Sequence, residues 1–141
     1  MKILKFGGKS LDNGSGILTV LDIIIDNYRA GEAPVVVVSA RGKSTDALLA
    51  LAEQACAGEP YEAALQAFWE HQCQDTTLRF EAERVQLERL LSGISLLGEC
   101  SPRTVDELVS YGEVLSSQYV AQALKDRGYE AGASDSGDFL L

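Results

Sequence analysis

Residues 5–10 read KFGGKS and residues 39–45 read SARGKST. Each puts Gly-Lys-Ser behind an apolar run, and the chemistry those residue types suit is anion binding. Glycine lets backbone approach a ligand closely, its N–H groups can face an anion, and lysine adds fixed charge. The candidate cations Lys5, Lys9, Arg41 and Lys43 all lie in these two stretches. A nucleotide P-loop would be the sharpest form of such a site, with a glycine, four residues, then Gly-Lys-Ser/Thr. Neither stretch provides it: the position for the first glycine falls on Val37 in one case and on Ile3 in the other, both inside apolar runs. A G-x-G-x-x-G dinucleotide loop is missing as well. Gly7-Gly8 therefore reads in two ways. It is a phosphate-approaching loop with Lys5 as a charge at the strand end, or it is a tight turn beside a solvated lysine.

Three other positions carry potential chemistry. Thr45 suits the N-cap of a following helix, and a helix N-terminus also favours anions. Gly112-Glu113 sits inside a long helical pattern, where glycine costs about 1 kcal/mol relative to alanine. Close approach of backbone or ligand would explain that glycine, and Glu113 could then take an ammonium group; a helix-packing glycine beside an exposed glutamate is the plainer alternative. His71 stands without a second His or a paired Cys, so no metal site is expected there. Glu81, Glu83, Arg84, Glu88 and Arg89 read as a solvated helix face.

These residues need elements to position them. Residues 2–6 read as a strand, and residues 15–29 as a helix with Ile17, Val20, Leu21, Ile24 and Tyr28 on one stripe. PVVVVSA (34–40) is a β-branched run suited to a central parallel strand. Strand, helix, strand is a βαβ unit. A helix follows from about Thr45, with Leu48, Leu49, Leu51 and Ala52 as its apolar face. Residues 60–97 read as helical in two or three pieces, with Phe68, Trp69, Phe80, Val85, Leu87, Leu90 and Leu91 inward. Residues 104–126 form the strongest helix, carrying Val105, Leu108, Val109, Gly112, Leu115, Tyr119 and Ala123 on one stripe, with Gly128 closing it. YEAGASD (129–135) is a weak third strand. The expected class is α/β, an open sheet with helices on its faces. In such sheets ligands sit beyond the carboxyl ends of the strands, where KFGGKS and SARGKST both fall.

The chain has 141 residues and a net charge of -9. That acidic balance argues against general nucleic-acid binding, which needs a basic footprint, and does not argue against a phosphate held by a few N–H groups. No apolar run approaches the ~20 residues of a membrane span. Cys56, Cys73 and Cys100 are odd in number and far apart, which suits reduced thiols in a cytosolic protein rather than a disulfide framework.

Taken in order, KFGG after a first strand, VVVVSA after a second, Thr45 before a Leu-Leu helix and DELVSYGEVLSS (106–117) resemble the aspartokinases, and SGISLLGE (92–99) is similar to the bifunctional aspartokinase–homoserine dehydrogenases. The resemblance covers nearly the whole chain. It implies the amino-acid kinase fold, a three-layer αβα sandwich with a mainly parallel sheet, and γ-phosphoryl transfer from MgATP to the side-chain carboxylate of L-aspartate in lysine, threonine and methionine biosynthesis. Lys5 would be the catalytic lysine. Lys5, Gly7, Gly8, Lys9 and Ser10 would form the phosphate (ATP) site, and Ser39, Ala40, Thr45 and Glu113 the aspartate site, with Glu113 on the substrate ammonium. The family pattern usually has threonine where this chain has Lys9. The resemblance further implies that residues 1–141 are the N-terminal, aspartate-binding part of a kinase domain. In that case the adenine and Mg²⁺ sites lie mostly in a second half, this segment is inactive by itself, and the parent is cytoplasmic and homo-oligomeric. The alternatives are another amino-acid kinase, acting on glutamate, acetylglutamate or carbamate, and a non-catalytic module that binds an amino acid or pairs with a full-length subunit.

Overall fold

The computed structural model describes residues 2–133 and, for the backbone alone, 138–140. The order is β1 (Ile3–Phe6), a short 3-10 helix (Gly8–Leu11), α1 (Gly14–Arg29), β2 (Val35–Val38), α2 (Ser44–Cys56), α3 (Glu62–Gln72), α4 (Glu81–Leu97), α5 (Pro102–Asp126), β3 (Gly132–Ala133) and β4 (Asp138–Leu140).

β1 and β2 pair in parallel, Ile3 opposite Val35 and Phe6 opposite Val38, so the expected βαβ unit is present. The sheet order is β1-β2-β4-β3, with β4 antiparallel to both neighbours. Of the strand expected over 129–135, residues 129–131 precede β3, Gly132–Ala133 form it, and residues 134 and 135 lie outside the described residues.

Side-chain alternation gives the sheet two unlike faces. Val36 and Val38 are buried, with Leu4 and Phe6 packed beside them, under α1 and α5. On the other face Ile3 is 53% exposed and Lys5 is exposed, while Val35 and Val37 are half-buried. The valine run is therefore sealed on one side only among the described residues.

α1 starts where Asn13 Oδ1 accepts the N–H groups of Ser15 and Gly16 at 3.1 and 3.0 Å. It buries Ile17, Val20, Leu21, Ile24 and Ile25, whereas Tyr28 lies half out, edge-on to Tyr129. α5 starts at Ser101, whose Oγ accepts Thr104 N–H at 3.2 Å, with Pro102 in the first turn where a missing N–H costs nothing. It ends before Gly128, whose φ of +89° continues no helix. This helix serves two cores. Tyr119, Val120 and Leu124 join the sheet and α1, while Leu108 and Leu115 join a second cluster built from α2, α3 and α4 around Leu48, Leu51, Phe68, Trp69 and Leu87.

Three assignments from the sequence, two inward and one solvated, do not hold. Val85 is 52% exposed and Leu49 is 39% exposed, because the neighbouring Leu87, Leu48 and Leu51 already fill the contact. Arg84 is not simply solvated: its guanidinium lies 4.9 Å from the Trp69 ring and donates to Arg79 C=O at 2.6 Å. No helix of the described residues is long and apolar enough to cross a membrane.

Candidate functional site

The two glycine-bearing loops and the middle of α5 meet at the carboxyl ends of β1 and β2. Ser39 N–H donates to Phe6 C=O at 3.0 Å, extending the parallel ladder by one bond. Gly42 N–H then donates to Gly8 C=O at 2.9 Å, joining the loops directly. Gly8 lies so close to the carbonyl of Ala40 that a side chain there would collide with it. A β-carbon on Gly112 would stand 2.7 Å from Ala40 Cβ and 3.5 Å from Leu48 Cδ1. Ala40 is therefore enclosed between the first loop and α5. Gly7 is different: a side chain there would meet nothing within 4 Å, so this stretch of backbone keeps an open face. It precedes the 3-10 turn, where the amides of a helix start have no intrahelical acceptor.

The contacts thus bring Gly8, Ala40 and Gly112 together, with Gly7, Ser39 and Glu113 as their neighbours in sequence. Lys9, Ser10, Ser39, Thr45 and Glu113 are exposed, and Lys5 emerges from the open face of β1 close to Gly7. No ion pair joins Lys5 to Glu113, and Lys5, Lys9 and Lys43 have no ion-pair partner among the described residues.

Two expectations are corrected here. Thr45 does not cap α2. The helix begins at Ser44 with Lys43 at the cap position, because Gly42, at φ +52°, turns the chain early. Ser44 Oγ donates back to Arg41 C=O at 2.5 Å, and the Thr45 hydroxyl is left exposed. Arg41 is not a cation available to a ligand: it is fully buried. Its Nε donates to Leu11 C=O at 2.8 Å, and its terminal nitrogens donate to the carbonyls of Gln72, Gln74, His71 and Asp12 at 3.1 to 3.4 Å. The guanidinium also lies 4.0 Å from the centre of the Tyr119 ring. A planar fork of donors meets carbonyls from two loops while an aromatic face offsets the charge, which lysine could not do.

A polar chain runs beside Arg41. Asp12 Oδ1 lies 2.8 Å from His71 Nε2, and His71 Nδ1 lies 3.3 Å from the Gln72 amide nitrogen, which is also 2.6 Å from Ser44 Oγ. The bonds are consistent with proton on His71 Nε2, since the amide can only donate. The Asp12 carboxylate presses on the bare α-carbon of Gly42, leaving no room for a side chain there. Asp12 and His71 lie far apart in sequence, and nothing in their local pattern signals that they meet. The Tyr119 hydroxyl has no hydrogen-bond partner among the described residues, and burial pushes its pKa up, against the opposing pull of Arg41.

The amino acid kinase family model matches residues 1–141. Aspartokinase 2, chloroplastic, of Arabidopsis thaliana is 32% identical over 95% of this chain and 26% of its own length. Lysine-sensitive aspartokinase 3 of Escherichia coli is 34% identical over 92% of this chain and 29% of its own length. The crystal structure of E. coli aspartokinase III in complex with aspartate and ADP superposes with a TM-score of 0.68 at 31% identity, over 91% of this chain and 29% of that one. This chain spans between a quarter and a third of the length of these relatives. With the family model matching from end to end and the βαβ unit, paired loops and long α5 in place, the chain belongs to the amino acid kinase family.

Proposed function

We propose that this chain is the amino-acid-binding portion of an aspartokinase, contributing to γ-phosphoryl transfer from ATP to the side-chain carboxylate of L-aspartate. The observation that carries this reading is the enclosure of Ala40 between Gly8 and Gly112. Support comes from the Gly8 loop, the end of β2, which Ser39 follows, and the Gly112 turn of α5 meeting at one strand end. The relatives are named aspartokinases, and one solved relative is a complex with aspartate and ADP.

In this reading a carboxylate oxygen of aspartate attacks the γ-phosphorus, the bond to the bridging oxygen breaks, and ADP departs with that electron pair. The attacking carboxylate is already ionised, so no general base is required. What the protein must supply is alignment and charge neutralisation. Glu113 holds the substrate ammonium, and the Ser39 and Thr45 hydroxyls with Ala40 backbone orient the substrate. Gly7, Gly8 and Ser10 approach the phosphates, and Lys5 neutralises charge that grows on the transferred group. Lys9 adds a second cation there. Among the described residues no three His, Cys, Asp or Glu side chains are grouped to hold a metal ion, so no step is assigned to Mg²⁺ on this chain.

A chimera tests the reading, with this chain replacing the matching segment of E. coli aspartokinase 3. Acyl phosphate is captured with hydroxylamine. Aspartyl hydroxamate formed in preference to glutamyl hydroxamate supports the assignment. Preference for glutamate, acetylglutamate or carbamate would reassign the substrate, and a folded chimera without turnover would favour a non-catalytic module.

A further inference from the structure

A groove of about 460 Å³ runs between the start of α2 and α3. It falls in the range of small-molecule sites, roughly 300–1,000 Å³. Its walls are apolar: Ala47 of α2 faces Ala64, Ala67 and Phe68 of α3. One end is polar, formed by Asp12, Lys43 and His71. None of Ser39, Thr45 and Glu113 lines it, so it is distinct from the cluster at the strand ends.

The polar end is unusual in its pairing. The Asp12 carboxylate rests on Gly42, and Lys43 is the next residue, yet the two opposite charges form no ion pair. Asp12 Oδ1 is engaged by His71, while Oδ2 has no hydrogen-bond partner among the described residues. Lys43 also stands at the cap position of α2, where the helix dipole adds positive potential. A purely anionic ligand would meet Asp12, and a purely cationic one would meet Lys43. A headgroup carrying both charges suits both, and an apolar body suits the alanine and phenylalanine walls.

We propose that the groove between α2 and α3 binds a zwitterionic α-amino acid with an apolar side chain. Its ammonium goes to Asp12 Oδ2, its carboxylate to Lys43 and the first turn of α2, and its side chain lies against Ala47, Ala64, Ala67 and Phe68. Because Asp12 packs on Gly42, which bonds Gly8, occupancy of the groove adjoins the paired loops without belonging to them. The inference does not rest on the kinase reading and can be tested on this chain directly.

The probe is L-leucine, titrated into the chain by calorimetry and followed by ¹³C methyl shifts of Ala47, Ala64 and Ala67. Saturable binding with shifts in those methyls is expected. 4-Methylpentanoate, lacking the ammonium, and isopentylamine, lacking the carboxylate, should each bind at least about tenfold more weakly. L-Aspartate should leave the three methyls unmoved. Ala64→Phe, at an exposed helix position, should fill the groove and abolish leucine binding while the circular dichroism stays that of the parent. No saturation by about 10 mM leucine would overturn the proposal. So would equal binding of either truncated analogue, or leucine binding that survives Ala64→Phe unchanged.

Discussion

Gly112 of α5 and Ala40 at the end of β2 pack backbone against methyl, with room for no second carbon: a Cβ at 112 would lie 2.7 Å from Ala40 Cβ. A glycine-to-alanine change inside a helix ordinarily gains about 1 kcal/mol. Here Gly112→Ala should lose stability by about 1–3 kcal/mol, because Ala40 is backed by the Gly8 loop and cannot retreat. Urea denaturation reads the sign directly; a stabilised variant would mean that the helix moves away freely.

The two glycines of KFGG should part company. Gly8→Ala forces a side chain into the Ala40 carbonyl and should cost about 1–3 kcal/mol. Gly7→Ala meets open space at φ -81° and should leave stability within about 0.5 kcal/mol. In the chimera, Gly7→Ala should still raise the Michaelis constant for ATP, because the added methyl occupies the face offered to phosphate. Unchanged ATP kinetics would make Gly7 a turn residue and nothing more.

Arg41→Met should destabilise the chain by about 3 kcal/mol or more, since it strands the carbonyls of Leu11 and Gln72 in the interior. Arg41→Lys should recover little of that, as one ammonium cannot match the fork or stack on Tyr119. Equal stability of the lysine variant and the parent, by thermal unfolding, would contradict the hub role.

Tyr119→Phe keeps the ring under Arg41 and removes a hydroxyl that has no partner among the described residues. It should be neutral or stabilising by up to about 1 kcal/mol. It should also alter the alkaline limb. Burial raises the Tyr119 pKa above its ordinary value of 10.0, so the folded state prefers the neutral phenol. That contribution is complete below about pH 10 and disappears as pH climbs through the raised folded value. The parent should lose stability above pH 10 more steeply than Tyr119→Phe. Superimposable alkaline limbs would rule the phenol out as a source.

Within the chimera, Lys5→Ala should lower kcat by about a hundredfold or more, because a charge contact made in the transition state is gone. Glu113→Ala should chiefly raise the Michaelis constant for aspartate, by about tenfold or more, with kcat less affected. Lys9→Thr should maintain or raise the rate if threonine is the better residue there. A sharp loss would identify Lys9 as a phosphate ligand in its own right.

The sequence by itself determined the elements and their order. Periodicity located α1 and α5 within a few residues, the β-branched run located β2, and Gly128 marked the end of α5, because these depend on neighbours close along the chain. It also singled out the KFGG, SARG and Gly112-Glu113 segments, whose glycines and charges are costly unless used. What only the tertiary structure decided depends on contacts between distant segments. The charge pattern made Arg41 look available to a phosphate, yet it lies in the interior, because its partners are the carbonyls of residues 11, 12, 71, 72 and 74, and a carbonyl has no sequence signature. Asp12 and His71 meet for the same reason, and Thr45 lost its cap role to a positive φ at Gly42. Burial of the valine run on one face alone among the described residues was equally invisible, since a strand's residues state their own polarity but not which layers lie over them.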